Sequence, residues 1–166
     1  MESTTAPLLN TLNLNTRLFA NCMADVDDTT AKTRPSANTN NMVFLVCHLV
    51  DARHHLARML GIDVECPCLE SLANIGSIEE VREFPALADL ALAWEDVSDL
   101  LRERLEAASQ EELALPSPHQ FPVSDPTLGG AVLFLLQHES FHLGQLALLR
   151  KYLGFPPMSY AALEGA

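Results

Sequence analysis

Apolar side chains recur at steps of three and four residues in four segments of the chain, which is the spacing of amphipathic helices. The segments span residues 9–23, 45–59, 87–101 and 128–152. Asn40 or Asn41 is placed to cap the second, Gly61 ends it, and Gly154 ends the fourth. No segment alternates with a period of two, so the pattern predicts an all-α protein. Four such helices in one small chain predict a four-helix bundle with long connecting loops.

The stretches between these segments contain the residues that break helices. Residues 62–84 are mixed in character, with one short helical turn expected at 77–83, and the third helix is expected to begin near Pro85. Four prolines make the last connection irregular: Pro116, Pro118, Pro122 and Pro126. We see no boundary or repeat that divides the chain, so residues 1–166 are expected to form a single domain.

Composition narrows the class of partner. The 166 residues include 22 acidic and 10 basic side chains, which gives a formal net charge of −12. This charge disfavours nucleic acid and anionic membranes and leaves a small-molecule substrate as the expected partner. The longest apolar run is too short to cross a membrane, and the N-terminus does not resemble a secretory signal. The four cysteines are too few for a disulfide scaffold. A cytoplasmic protein is expected.

Two histidines occupy core-facing positions of the fourth segment. His138 and His142 are four residues apart, so they share one helix face about 6 Å apart along the axis. Both imidazoles can then reach one divalent cation, and Gln145, one step further, points into the same space. His48 on the second segment is the best placed third ligand, although a single histidine there is more often bonded to a backbone carbonyl.

The other histidines and the basic residues are less informative. His55 lies two turns beyond His48, too far to share its metal, and is expected to line the pocket. His54 falls on another face, and His119 is expected in solvent. The pair in Cys66-Pro67-Cys68 fits neither a redox motif nor a zinc site. The basic residues near the histidine helices are Arg53, Arg58, Arg150 and Lys151.

One alternative interpretation is a zinc hydrolase. Residues 138–142 match the H-E-x-x-H motif, in which Glu139 would be the general base. The only carboxylate downstream that remains as a third ligand is Glu164, close to the C-terminus. We find no strand that would hold a peptide, which disfavours this interpretation.

The order of the histidine motifs along the chain supports a resemblance to a protein family other than the zinc hydrolases. A histidine in Phe44-Leu45-Val46-Cys47-His48-Leu49 is followed, after a long gap, by His138-Glu139-Ser140-Phe141-His142-Leu143-Gly144-Gln145-Leu146 and an apolar run that ends at Gly154. This pattern resembles the DinB/YfiT-like family of metal-binding four-helix bundles. The resemblance implies an open site for zinc or nickel with His48, His138 and His142 as ligands, and it implies a homodimer.

The resemblance also implies a class of activity. Characterised relatives include thiol S-transferases that use low-molecular-weight thiols, so a metal-dependent transferase or hydrolase that activates a thiol or water is expected. Gln145 is expected to contact bound solvent or substrate, or to bond another helix, and Asp51 is placed to orient a ligand imidazole. A metal-binding module without catalysis stays open. A structural site of that kind would be closed by a fourth protein ligand, for which His55, Cys47 and Gln145 are the candidates.

Overall fold

Four long helices make up most of the computed structural model, which describes residues 5–68 and 77–161. Within these ranges there is no strand, and the only β-type contact is an isolated bridge between Pro116 and Thr127. The prediction of an all-α fold is confirmed. The long helices are α1 (Ala6–Met23), α3 (Met42–Met59), α4 (Leu87–Ala107) and α6 (Leu128–Tyr152).

Three short elements lie in the connections. They are the helices α2 (Asp28–Ala31) and α5 (Gln110–Leu113) and a 3₁₀ turn at Ile78–Glu80. The two short helices were not predicted, because four residues are too few to show a helical period. The 3₁₀ turn falls inside the predicted turn but is shorter, and Pro85 lies just before α4 rather than in its first turn.

The four long helices pack in a ring around an interior that holds two clusters of buried apolar side chains. Helix α1 lies against α4 and α6, and α3 lies against the same two helices from the other side. Leucine, valine and aromatic side chains from all four helices fill the interior, with Phe19 and Trp94 stacked at a ring distance of 4.2 Å. No helix in residues 5–68 or 77–161 is long and apolar enough to span a membrane.

Side-chain caps and positive-φ glycines fix the ends of the two histidine-bearing helices. The Asn41 side chain accepts a hydrogen bond from Phe44 N at 2.9 Å, so Asn41 rather than Asn40 caps α3. Helix α6 is capped by Thr127. Gly61 and Gly154 adopt φ values of 82° and 90° just after α3 and α6, a conformation that glycine tolerates best.

The buried face of α6 drifts away from the strict three-and-four pattern towards its C-terminal end. Gln145 is exposed and Tyr152 is 71% exposed, although both were predicted to face the core, whereas Leu146 and Arg150 are buried. A straight α-helix turns about 20° per heptad relative to a 3.5-residue repeat. Over the length of α6 this drift moves the last predicted positions out of the core.

A buried ion pair joins α3 and α6 at the centre of the bundle. Arg53 Nε and Nη2 donate to the two carboxylate oxygens of Glu139 at 2.8 and 2.5 Å, and the two side chains are 0% and 1% exposed. Arg53 Nη1 also donates to the hydroxyls of Thr16 on α1 and Ser98 on α4, both at 2.7 Å. The guanidinium carbon lies 3.4 Å from the centre of the Trp94 ring. One arginine therefore touches side chains of the other three long helices.

Candidate metal centre

The structure brings three histidines from two helices to one place. His48 on α3 and His138 and His142 on α6 each offer a ring nitrogen, and these three nitrogens all lie within 4.8 Å of one another. The Nε2 atoms of His48 and His138 are 2.9 Å apart, close enough for one to donate a hydrogen bond to the other. The three imidazoles are half-buried at the edge of the bundle. These are the three positions that the sequence singled out.

Gln145 fixes the orientation of the His142 ring. His142 Nδ1 lies 2.7 Å from Gln145 Oε1, one helical turn further along α6. An amide oxygen only accepts hydrogen bonds, so His142 carries its proton on Nδ1 and its Nε2 keeps a free lone pair. The Gln145 oxygen therefore bonds within its own helix rather than to another helix, and contact of Gln145 with bound solvent or substrate stays a prediction. Spacing alone did not distinguish these roles.

Burial lowers the pKa of two of the imidazoles, those of His48 and His138, and so favours their neutral form. The pKa of His48 is lowered to about 4, first by burial and then by the neighbouring His142 and His138 rings, while Asp51 raises it slightly. The pKa of His138 is lowered by burial and by His142, although Glu139 acts in the opposite direction. Neutral imidazoles near pH 7 are the form that binds a metal ion. Asp51 acts on His48 through its charge.

The candidates for a fourth ligand are all engaged elsewhere. The ring of His55 lies next to His119, with centroids 5.2 Å apart, and the Gln145 oxygen is bonded to His142. Cys47 is buried in the core, where its thiol is in hydrogen-bond contact with Cys68. Among the described residues, no further histidine, cysteine or carboxylate joins the three histidines. The donor set is therefore open on its outer side.

Glu139 is not placed to act as a general base. Its carboxylate is 1% exposed, and both oxygens accept hydrogen bonds from Arg53. Asn15 Nδ2 also donates to it at 3.1 Å. The interpretation as an H-E-x-x-H hydrolase therefore loses its base in this structure, since Glu139 points into the core. Glu164, the ligand that this interpretation required, lies outside the described residues.

The remaining histidines and basic residues separate into a buried and an exposed set. His54 is buried and lies 2.7 Å from Val50 O through its Nδ1, so it faces away from the site as predicted. Arg150 is buried and donates to backbone carbonyls, including Pro156 O at 2.8 Å. Arg58 and Lys151 are exposed, and so is His119, which confirms the expectation that it meets solvent.

Aromatic rings border the three histidines. Phe134 lies one turn before His138, with ring centroids 6.1 Å apart and nearly parallel planes. Phe141 meets His142 edge to face at 5.2 Å and is 64% exposed. Two aromatic rings therefore lie beside the three histidines, and sequence spacing did not reveal them.

Comparison with known proteins agrees with this geometry. A structure described as that of a conserved protein from Enterococcus faecalis has the same fold, with a TM-score of 0.68 at 16% identity over 92% of this chain and 98% of that chain. No curated protein matches this chain. The family model of the DinB superfamily matches residues 11–146, a stretch that includes all three histidines. The chain therefore belongs to the DinB superfamily.

Proposed function

We propose that this protein is a metal-dependent enzyme that activates a thiol or a water molecule at a divalent ion held by His48, His138 and His142. The observation that carries the proposal is the convergence of three imidazoles whose ring nitrogens lie within 4.8 Å of one another, with no fourth protein ligand among the described residues. Structural zinc sites are closed by four protein ligands, whereas catalytic sites leave a position for water or substrate.

The donor set fits a borderline cation such as zinc or nickel, for which imidazole is a suitable ligand. When bound, such an ion supplies positive charge that lowers the pKa of a thiol or water beside it. The protein holds the ligand rings in place: Gln145 fixes the His142 tautomer, and burial keeps His48 neutral. Phe134 and Phe141 provide apolar surface for the body of a small-molecule substrate. The activity proposed is transfer of a thiol to an electrophilic carbon, with hydrolysis as the counterpart when water is activated.

Metal content tests the ligand assignment first. Protein purified without a nickel column is expected to contain about one divalent ion per chain, measured by mass spectrometry of the metals. His138→Ala should lose this ion, whereas His54→Gln, at a histidine that faces away from the site, should keep it. Full metal content in the triple variant His48→Ala, His138→Ala, His142→Ala would refute the assignment.

Activity is tested separately. The metal-loaded protein is incubated with a panel of low-molecular-weight thiols and the electrophile monochlorobimane, which becomes fluorescent when it forms a thioether. Metal-dependent turnover above that of the triple variant supports the enzyme. Stoichiometric metal binding without turnover across a broad panel of thiols and electrophiles would favour a non-catalytic metal-binding module instead.

The proposal includes a homodimer in the cytoplasm. The solvent face of α6 carries exposed apolar residues, Leu133, Phe141 and Leu148, and the only acidic residue of α6 is the buried Glu139. Helix α6 itself therefore presents no exposed carboxylate that would repel a second copy along that face. The four unpaired cysteines agree with a reducing compartment. Light scattering should give the mass of a dimer for the wild type and of a monomer for Leu148→Asp.

A further inference from the structure

A cavity of about 580 Å³ lies between α1 and α4. These two helices pack against each other, and each also packs against one of the histidine-bearing helices, so the cavity and the metal centre lie on opposite edges of the ring. Half-buried alanines on both helices, Ala20 and Ala91, leave this space open because their side chains are too short to fill it. The volume is in the range of small-molecule sites in proteins, about 300–1,000 Å³.

Apolar groups make up most of the wall of this cavity. Phe19 and Trp94, which stack on each other at a ring distance of 4.2 Å and are almost fully buried, form its floor. Met23 and Ala24 border it at the C-terminal end of α1. A wall of this kind suits the apolar body of a ligand, because binding removes apolar surface of both partners from water.

Asn21 provides an unpartnered acceptor at this cavity. Its side chain lines the cavity and is 3% exposed. Nδ2 donates to Ser159 O at 2.6 Å and to Ala161 O at 2.8 Å, and because carbonyl oxygens only accept, these contacts fix which end of the amide is nitrogen. Within residues 5–68 and 77–161, Asn21 Oδ1 is the only buried side-chain nitrogen or oxygen without a hydrogen-bond partner. Buried acceptors are nearly always paired in folded proteins, which makes a donor on a bound molecule the expected partner.

The charged residues that line the cavity balance one another. Arg17 and Glu95 are exposed and carry opposite charges. Arg102 pairs with Asp99 at 2.8 Å and also donates to Asn13 Oδ1 at 3.0 Å. These charges are all at least partly in solvent, where ionic contacts contribute little to binding. Among the described residues, the lining of the cavity therefore favours an uncharged ligand.

We propose that this cavity binds a small uncharged molecule that is apolar along its length and carries one O–H or N–H group, which donates to Asn21 Oδ1. The cavity is separate from the metal centre, so the proposal goes beyond the proposed function and does not rest on it. Selectivity comes from the single hydrogen bond. A ligand of the same shape without a donor would leave the buried oxygen unpaired and would therefore bind more weakly.

A pair of isomers tests the site in the metal-free protein. Octanol and heptyl methyl ether have the same atoms and nearly the same length, but only the alcohol carries a hydrogen-bond donor. Trp94 is the only tryptophan of the chain, and its indole N–H donates to Thr16 O beside the cavity, so one indole resonance of isotope-labelled protein reports binding. We expect octanol to bind about tenfold more tightly than the ether, a difference typical of one hydrogen bond to a buried acceptor.

Variants locate the site. Asn21→Leu removes the acceptor and should bring the two affinities to within about twofold of each other. Ala91→Phe fills the cavity and should weaken both ligands by more than about tenfold. Leu92→Phe, at the neighbouring exposed position of α4, is the matched control and should leave both affinities unchanged. If Asn21→Leu does not fold, the preference of the wild type and the comparison of Ala91→Phe with Leu92→Phe still decide the proposal.

Several outcomes would overturn the site. One is the absence of any shift of the Trp94 resonance with octanol up to its solubility limit. Another is equal affinity of the wild type for the two isomers, which would mean that water alone satisfies Asn21. Unchanged binding in Ala91→Phe, or an unchanged preference in Asn21→Leu, would also contradict the proposal. A shift of the Ala20 and Ala91 amide resonances on dilution of the ligand-free protein would assign the cavity to a second copy of this chain instead.

Discussion

Replacing Glu139 with glutamine should cost a large fraction of the stability of this fold. Glu139→Gln keeps the size and shape of the side chain but removes the negative charge that faces Arg53. Arg53 stays charged and fully buried, and its remaining acceptors at the bundle centre are all neutral: the hydroxyls of Thr16 and Ser98 and the single amide oxygen of the new glutamine. Removing one partner of a buried ion pair costs about 3–5 kcal/mol, because the other charge is left without compensation. That loss is comparable to the lower end of the total stability of a small domain, about 5 kcal/mol.

A double substitution shows whether the cost comes from the uncompensated charge. Replacing both partners, as in Arg53→Met with Glu139→Leu, removes the two charges together and should be less destabilising than Glu139→Gln alone. Asp99→Asn is the matched control, since Asp99 pairs with Arg102 at 2.8 Å on the surface. Its expected cost is below about 1 kcal/mol.

The free energy of unfolding is measured by urea titration of the metal-free proteins, followed by circular dichroism and analysed with linear extrapolation. The slope of the transition should stay constant across the variants if only the native state is affected. A cost below about 1 kcal/mol for Glu139→Gln, or a double variant less stable than Glu139→Gln, would refute the reasoning, because the pair would then behave like an exposed one.

Three further outcomes follow from single contacts. Gln145→Leu should lower the affinity for the metal about tenfold, because His142 loses the hydrogen-bond acceptor that orients its ring. The affinity is measured by competition with a chelator, and an unchanged value would contradict this role of Gln145. In the metal-free protein, His48 should destabilise the fold as the pH falls from about 6.5 to 4, because the unfolded form takes up the proton first. The expected loss at pH 4 is about 3 kcal/mol, since the pKa of His48 is lowered from 6.5 to about 4 and each pH unit corresponds to about 1.4 kcal/mol. Urea midpoints for His48→Gln should show a shallower fall, and an equal fall would exclude His48 as the cause. Gly144→Ala should raise the free energy of unfolding by about 0.5–1 kcal/mol, because nothing lies within 4 Å of the added methyl group. Gly130→Ala should lower the free energy of unfolding, because its methyl group would lie 2.5 Å from a loop carbonyl oxygen. The opposite order of the two variants would refute this comparison.

The sequence predicted the positions of the long helices because their leucines and valines repeat over several turns. It also predicted that His138 and His142 share one face of α6, because they are four residues apart, and it offered His48 as the best placed third ligand. These inferences depend on short-range periodicity, which is independent of how the loops run. The full set of three ligands was implied by the resemblance to the DinB/YfiT-like family, and the structure brings the three side chains together.

Contacts between distant segments could not be predicted in this way. The pairing of Arg53 with Glu139 joins residues 86 positions apart, and the motif H-E-x-x-H pointed to a solvent-facing base instead. The approach of His119 to His55 depends on the path of a connection with four prolines, which has no period to follow. Burial and partner choice at these positions are tertiary properties, and they determine whether the same side chain stabilises the core or lines a site.

The burial of the four cysteines has a consequence for the chemical reactivity of the folded chain. All four are buried and unpaired. Burial raises the pKa of the Cys22 thiol to about 11, and hydrogen bonding with the Cys68 thiol together with burial raises that of Cys66. Only a thiolate attacks an alkylating agent or a disulfide at an appreciable rate. The folded chain is therefore protected from alkylation by electrophiles and from mixed disulfides with free thiols. Uptake of a maleimide label would consequently report unfolding of the chain.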